Sequence, residues 1–374
     1  MAISSKKQPV QKSTDSHTLL LKLKNFGGHN TINHKDRKFF TEQMALLLET
    51  GSSMQASLQA LQKQLSKPAM VELVKQLKED VEQGRQFSFA LARHPTVFST
   101  TYVNLIAASE AGGYMHEVLE QLQEMDEKKQ QLRQTMTSAL SYPLFLMFFA
   151  FAVVVFVLVV VFPKFADLFS QIADQLPATT VFLMASSRII QQYWLLLIAG
   201  FVATVVAWLL WSRTPHGIQK LDWAKLHLPL IRDIFAQLYL IQSLRVLSLS
   251  LGNGVNIIDS LRACRDVVSN SLFQNFIRQV EEHVEQGKGI AIGFQNTSFI
   301  PPVVAQMIET GEETGNLPKV LRRLSSYYEA ELTNKLQTLS RLAEPFMLLV
   351  MGGVVGLIVS SLILPIFKLS RAVG

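Results

Sequence analysis

Three continuously apolar stretches of this 374-residue chain, residues 144–162, 193–211 and 346–366, carry no charged side chain. At about 1.5 Å per residue, a helix over such a stretch rises roughly 30 Å, the thickness of a bilayer's hydrocarbon core. One uncharged run of that length can be the buried helix of a large soluble core. Three in one chain predict membrane spans. Trp194, Trp208 and Trp211 lie near the ends of the middle run, where amphipathic rings favour the headgroup level. Lys and Arg outnumber Asp and Glu by 35 to 29, for a net charge of +6, yet 49% of residues are hydrophobic and only 17% charged, too apolar for an ordinary basic soluble protein. None of the runs reads as a signal peptide, since the first 140 residues are polar and helical in pattern.

The second constraint is a repeat. A shift of 202 residues sets Glu110 on Glu312, Gly113 on Gly315, Val118 and Leu119 on Val320 and Leu321, Pro143 on Pro345 and Pro163 on Pro365. A shift of 203 sets Gly51 on Gly254, Ser57 and Leu58 on Ser260 and Leu261, Ala60 on Ala263, and residues 81–84 on 284–287. The chain therefore reads as a duplicated unit, a polar helical lobe feeding a membrane span, with an extra span between the copies.

Within the first copy, Asn33 or Asp36 can cap a helix with Phe40, Met44, Leu47 and Leu48 on one face, and Gly51 can end it in the left-handed conformation. Ser53 can start a second helix bearing Leu58, Leu61 and Leu65. Pro68 suits the first turn of a third, with Val71, Val74, Leu77 and Val81 at spacings of three and four and Gly84 at its end. Pro95 divides a short helix from one over residues 99–110, and Gly112 and Gly113 make the next turn. From Met115 the series Leu119, Leu122, Met125, Leu132, Met136 and Leu140 runs into the first apolar stretch, so the sixth helix is expected to continue into the span with a kink at Pro143.

The fold class that follows is an all-α membrane protein with two homologous six-helix cytoplasmic bundles and three transmembrane helices. The expected divisions are a flexible tail over 1–32, a first lobe over 33–142, spans over 143–163, 193–212 and 345–366, a short external loop over 164–192, a second lobe over 213–344 and an external tail over 367–374. Lys128, Lys129 and Arg133 precede the first span, and Arg213, Lys220 and Lys225 follow the second. The intervening segment has only Lys164 and Arg188, so positive-inside bias predicts a cytoplasmic N-terminus, with Lys368 and Arg371 pulling the other way.

Four groups of residues invite a functional reading. Glu110 with Gly113, and Glu312 with Gly315, could contact a partner; equally, the glycines can supply positive φ at a corner while each Glu caps or pairs locally. Gly352, Gly356 and Ser360 recur every four residues, a small-residue face on which an oligomer or intramolecular contact can form. Pro143, Pro163, Pro345 and Pro365 mark hinges or span boundaries. Glu344 suits the interfacial start of the last span. His29 and His34, in or beside the polar tail, read as solvated.

No phosphate-cradling Gly-Lys-Ser/Thr loop, His-Glu-x-x-His helix or Gly-x-Gly-x-x-Gly turn occurs, so no catalytic, cofactor-binding or metal residue is assigned and an enzyme is not expected. Cys264 is alone, which excludes a disulfide within the chain and suits a reducing compartment. A small transporter or channel subunit is the alternative function. Uncharged spans disfavour it, because they offer no path for an ion or proton.

The ordered ladder LLLETGSSMQASLQAL, VEQGRQFSFAL, SEAGGYMHEVL and SYP, followed by SLGNGVNIIDSL, VEQGKGIAIGF, GEETGNLPKVL and AEPF, resembles the inner-membrane platform family. That family comprises the F protein of bacterial type II secretion and the C protein of type IV pilus assembly. The resemblance covers roughly residues 33–370. Two departures leave the choice between secretion and pilus machinery open: the segment with which members usually begin has no counterpart here, and the first copy reads SEAGGYM where the second has the fuller GEETGNL. The resemblance implies a multi-pass protein of the bacterial inner membrane that couples a cytoplasmic assembly ATPase to polymerisation of pilin or pseudopilin subunits. It further implies contact with other inner-membrane assembly proteins and homo-oligomerisation; no nucleic-acid partner is expected.

Overall fold

A computed structural model of the chain describes residues 31–170, 176–229, 231–295, 297 and 299–373; the expected tail over 1–32, with His29, falls almost wholly outside them. Among the described residues every regular element is helical. The first repeat is built of α1 (His34–Glu49), α2 (Met54–Gln64), α3 (Pro68–Glu82), α4 (Phe87–Ala92), α5 (Thr100–Gly112) and α6 (Met115–Phe156). A π-helical stretch, Val157–Val161, joins α6 to α7 (Phe162–Ser170), and α8 (Ala178–Ser212) and α9 (Pro215–His227) follow. The second repeat is α10 (Arg232–Gly252), α11 (Ile257–Val267), α12 (Ser271–Glu285), α13 (Ile290–Gln295), α14 (Pro302–Glu313) and α15 (Leu317–Val373).

The repeat is therefore one of helices as well as letters. Gly51, Gly84 and Gly113 end helices at φ of 81°, 78° and 78°, and their counterparts Gly254, Gly287 and Gly315 do so at 77°, 76° and 66°. In that left-handed region a Cβ is strained, so the same three stops recur because the backbone requires glycine there. Ser53 and Ser99 start their helices by accepting the amides of Ala56 and Tyr102.

Two compact units arise, and they do not follow the repeat boundary. One holds residues up to Glu127 together with 249–266; the other holds 128–248 and 267 onward. In the first, Phe40, Met44, Leu58, Leu61, Leu77, Phe98 and Leu105 form the core, joined by Leu249 of α10. The second repeat's turn is held there as well: the Tyr114 hydroxyl donates to the Asn253 carbonyl at 2.9 Å and the Asn253 amide to Gln121 Oε1 at 2.8 Å. Of the second lobe expected over 213–344, α11 thus falls in the first unit, where Leu249 and Val255 join the apolar cluster and Asn253 is bonded to Tyr114 and Gln121.

Ion pairs fasten the first unit. Arg37 forks onto Asp126, both contacts at 3.0 Å, tying α1 to α6, and the buried Asp80 receives Arg85 and Arg93, each at 2.7 Å. The second unit uses rings: Phe276 lies 5.2 Å from Phe294 and 5.5 Å from Phe299, nearly edge-on to both.

By length and composition α6, α8, α10 and α15 could each cross a membrane. α10 differs from the others, since 67% of its most apolar stretch is buried inside the protein, against 0–11% for the other three. It is a core helix whose apolar residues already have protein neighbours, whereas those of α6, α8 and α15 face outward and require an apolar solvent.

Candidate functional site at the paired proline joints

α6 and α15 are each one continuous helix running from a lobe into an apolar stretch, with Pro143 inside α6 and Pro345 and Pro365 inside α15. A proline has no amide hydrogen, so each leaves the carbonyl four residues earlier without its helical donor. The four prolines form two repeat-related pairs, and the protein treats the pairs differently.

At Pro163 and Pro365 the carbonyls are satisfied by side chains of α8. In the π-helical register Pro163 would have been the donor for Leu158, and in the α register for Val159. The Ser187 hydroxyl donates to the Leu158 carbonyl at 2.5 Å and the Gln191 amide to that of Val159 at 3.0 Å. On the other helix, the Thr180 hydroxyl donates to the carbonyl of Ser361 at 2.9 Å, the one that Pro365 leaves open. Thr180, Ser187 and Gln191 are seven and four residues apart and so lie on one face of α8. Around them Leu158, Phe162, Phe169, Leu183, Met184 and Ile358 form an apolar cluster. Polar side chains that re-satisfy a broken helix are the arrangement an apolar solvent demands, since water cannot do it.

The clamp lies in the segment 164–192, expected as a short external loop. Much of that segment is helix, and α8 from Thr180 to Gln191 packs beside residues 158–162 and 358–361, at the level of two apolar runs. Non-helical backbone at Tyr193 (φ −117°, ψ 18°) separates this clamp from the outward-facing remainder of α8. The face 180/187/191 is legible in the sequence only if the segment is first taken as helical.

At Pro143 and Pro345 the carbonyls belong to Ala139 and Arg341, and here the joints open onto a cleft of about 540 Å³ between α6 and α15. Gln131, Gln134, Thr135, Ser138, Gln337 and Ser340 complete its lining. Beside the prolines, repeat-equivalent residues of the two helices meet: Tyr142 donates to Glu344 at 3.5 Å. The two levers are thus cross-linked tightly by α8 at one end of the apolar runs and meet loosely across a polar gap at the other.

The glutamates sit elsewhere. Glu110 accepts the Phe87 amide at 2.6 Å and the Ser88 amide and hydroxyl at 3.1 and 2.7 Å. Glu312 accepts the amides of Ile290 at 3.0 Å and Ala291 at 3.4 Å. Each closes the first turn of a six-residue helix, α4 or α13, against the helix that follows. Gly113 and Gly315 are the left-handed stops just after them. Gly352, Gly356 and Ser360 face outward; a Cβ on either glycine would touch nothing within 4 Å, and the face of α15 that packs within the chain carries Val354, Ile358, Ser361 and Leu362. His34 lies on α1 with Nε2 3.4 Å from Asp126.

The sequence profile of the family described as type II secretion system (T2SS), protein F matches residues 40–163 and again residues 243–365. The chain belongs to the protein F family. Each of the two matches covers most of one six-helix series and ends on a proline joint, Pro163 or Pro365. Among curated relatives of this protein F family member, the type IV pilus assembly protein PilC of Thermus thermophilus is 33% identical over 336 residues, 90% of this chain and 82% of that protein. PilC of Pseudomonas aeruginosa is 29% identical over 349 residues, 93% of each chain. The type II secretion system protein F of Vibrio cholerae is 28% identical over 342 residues, 91% of this chain and 84% of that protein. Pilus and secretion relatives thus align over a similar extent of this chain.

Proposed function

We propose that this protein F family member is an inner-membrane platform that couples a cytoplasmic assembly ATPase to polymerisation of pilin or pseudopilin subunits, in type IV pilus biogenesis or type II secretion. Support comes from the geometry of α6 and α15. Each carries lobe residues and an apolar run on one helix, so a displacement of its polar end reaches the bilayer without crossing a flexible loop. The α8 clamp fixes the far ends of the two levers, and the gap at Pro143 and Pro345 leaves their near ends room to part or close. In this reading α6, α8 and α15 are the three spans, the N-terminus and both lobes are cytoplasmic, and the ATPase docks on the first lobe.

Two measurements test this. Thiols introduced at Gln123 and at Thr179 of the full chain should be sealed from, and open to, an impermeant reagent applied to intact cells; the opposite pattern overturns the topology. Pull-down of the assembly ATPase with full-length protein should be lost on charge reversal of exposed first-lobe residues such as Glu72 and Lys75, with membrane insertion unchanged. Retention of the ATPase by every first-lobe variant, and its loss on second-lobe changes, would move the docking site.

A further inference from the structure

α9 is fixed against the end of α8 and cannot stand far from it. The Thr214 hydroxyl accepts the Gly217 amide at 3.1 Å and donates to the Trp211 carbonyl at 2.7 Å. A Cβ on Gly217 would lie 1.9 Å from the same carbonyl, so the turn is this tight because residue 217 is glycine. The helix is also fixed in rotation. Gly217 is buried by the turn, Asp222 and Leu226 by the protein, and the Asp222 side chain takes the Ser271 amide at 2.9 Å and Lys225 at 3.1 Å, while its carbonyl takes the Asn270 amide at 3.0 Å. What α9 presents outward is therefore set by the fold. His216, Lys220, Trp223 and His227 follow one another at four, three and four residues, a single exposed stripe turned away from Asp222. Trp223 is 54% exposed, its ring stacked 4.4 Å from that of His227. The sole carboxylate of the helix is the buried Asp222, so the stripe carries cationic and aromatic character with no acid.

We propose that this stripe of α9 lies on the headgroup layer and binds anionic phospholipid. An exposed indole beside a lysine suits that layer, where the ring finds a partly apolar medium and the ammonium a phosphate. Arg213, exposed between the last turn of α8 and the first of α9, extends the cationic surface to the span itself. Held by Asp222 on α12, α9 would keep the second lobe at a fixed height and angle beneath the bilayer. The inference rests on α8 being a span, and the test separates the two.

The full-length chain is placed in nanodiscs of phosphatidylcholine alone or with one part in three of phosphatidylglycerol, and a polarity-sensitive dye is attached to a thiol at position 220. The native Cys264 is buried and does not compete. Emission at 220 should shift to the blue in the phosphatidylglycerol discs and return to the solvent-like value at molar salt. Inorganic phosphate added to phosphatidylcholine discs should not shift it. A dye at Leu196, within α8, should read apolar in both lipids. Amide exchange over residues 215–227 of unlabelled protein should slow about fivefold with phosphatidylglycerol, and Lys220→Glu with Trp223→Ala should abolish that slowing at unchanged melting temperature. A dye at 196 in bilayer and a dye at 220 in solvent with either lipid would overturn the proposal alone. Solvent-like emission at 196 would overturn the span beneath it, and a shift produced by free phosphate would make the site one for a soluble anion.

Discussion

Thr180 donates its hydroxyl to the carbonyl of Ser361, 181 positions along the chain, and that carbonyl is the one Pro365 strips of its helical partner. Thr180 is fully buried, so no water can replace it. The bond makes α8 part of the structure of α15 and ties it to the second repeat.

Thr180→Val keeps the shape and removes the donor, leaving a buried carbonyl unpaired at a cost of about 1–2 kcal/mol. The thermal midpoint of the protein in detergent should fall, and Thr180→Ser should restore most of it. Equal midpoints for the valine and wild-type proteins would mean that another donor reaches Ser361.

Glu110→Ala and Glu312→Ala each delete a carboxylate that accepts backbone amides at the start of a short helix. Each should cost about 2 kcal/mol, the scale of hydrogen bonds to a charged group. Amide exchange should quicken at Phe87 and Ser88 in the first variant and at Ile290 and Ala291 in the second. A loss of ATPase binding with exchange unchanged would instead make the carboxylates a contact surface.

His94 makes the first unit sensitive to acid. Burial, with Arg93 adding to it and Asp80 partly opposing, holds its pKa below the ordinary value of 6.5, and Nε2 is buried with no hydrogen-bond partner among the described residues. Below pH 6.5 the unfolded chain takes up a proton there that the folded one refuses, so this group's contribution is present above that pH and is lost as the pH falls toward the depressed folded value. Denaturation measured from pH 7.5 to 5 should show stability declining, and His94→Gln should flatten the decline. An unchanged slope would assign the acid sensitivity to other groups.

Gly352, Gly356 and Ser360 form an open face on α15, which we propose as the contact between two copies of the chain. Gly356→Leu adds bulk where close approach of two helices needs none, and crosslinking of the full-length protein in membranes should lose its dimer band at unchanged expression. A persistent band would place the contact on another face.

Much of this architecture can be read from the letters alone, because it is local or periodic. The glycine stops at 51, 84 and 113 and their counterparts at 254, 287 and 315 follow from a backbone that L-residues avoid. Uncharged runs around 150, 200 and 355 announce an apolar solvent, and two series of six helices follow from stripes at spacings of three and four. Which donors meet the carbonyls freed by Pro163 and Pro365 depends instead on segments far apart in sequence coming into register. Thr180, Ser187 and Gln191 therefore gain their role only where packing sets them against α15 and the π-helical stretch. For the same reason only the tertiary structure decided that α10 is a core helix despite its apolar length and that α11 packs with the first unit. Periodicity says that a helix has a buried face, but the surface that buries it is chosen by complementarity of partners that periodicity does not encode.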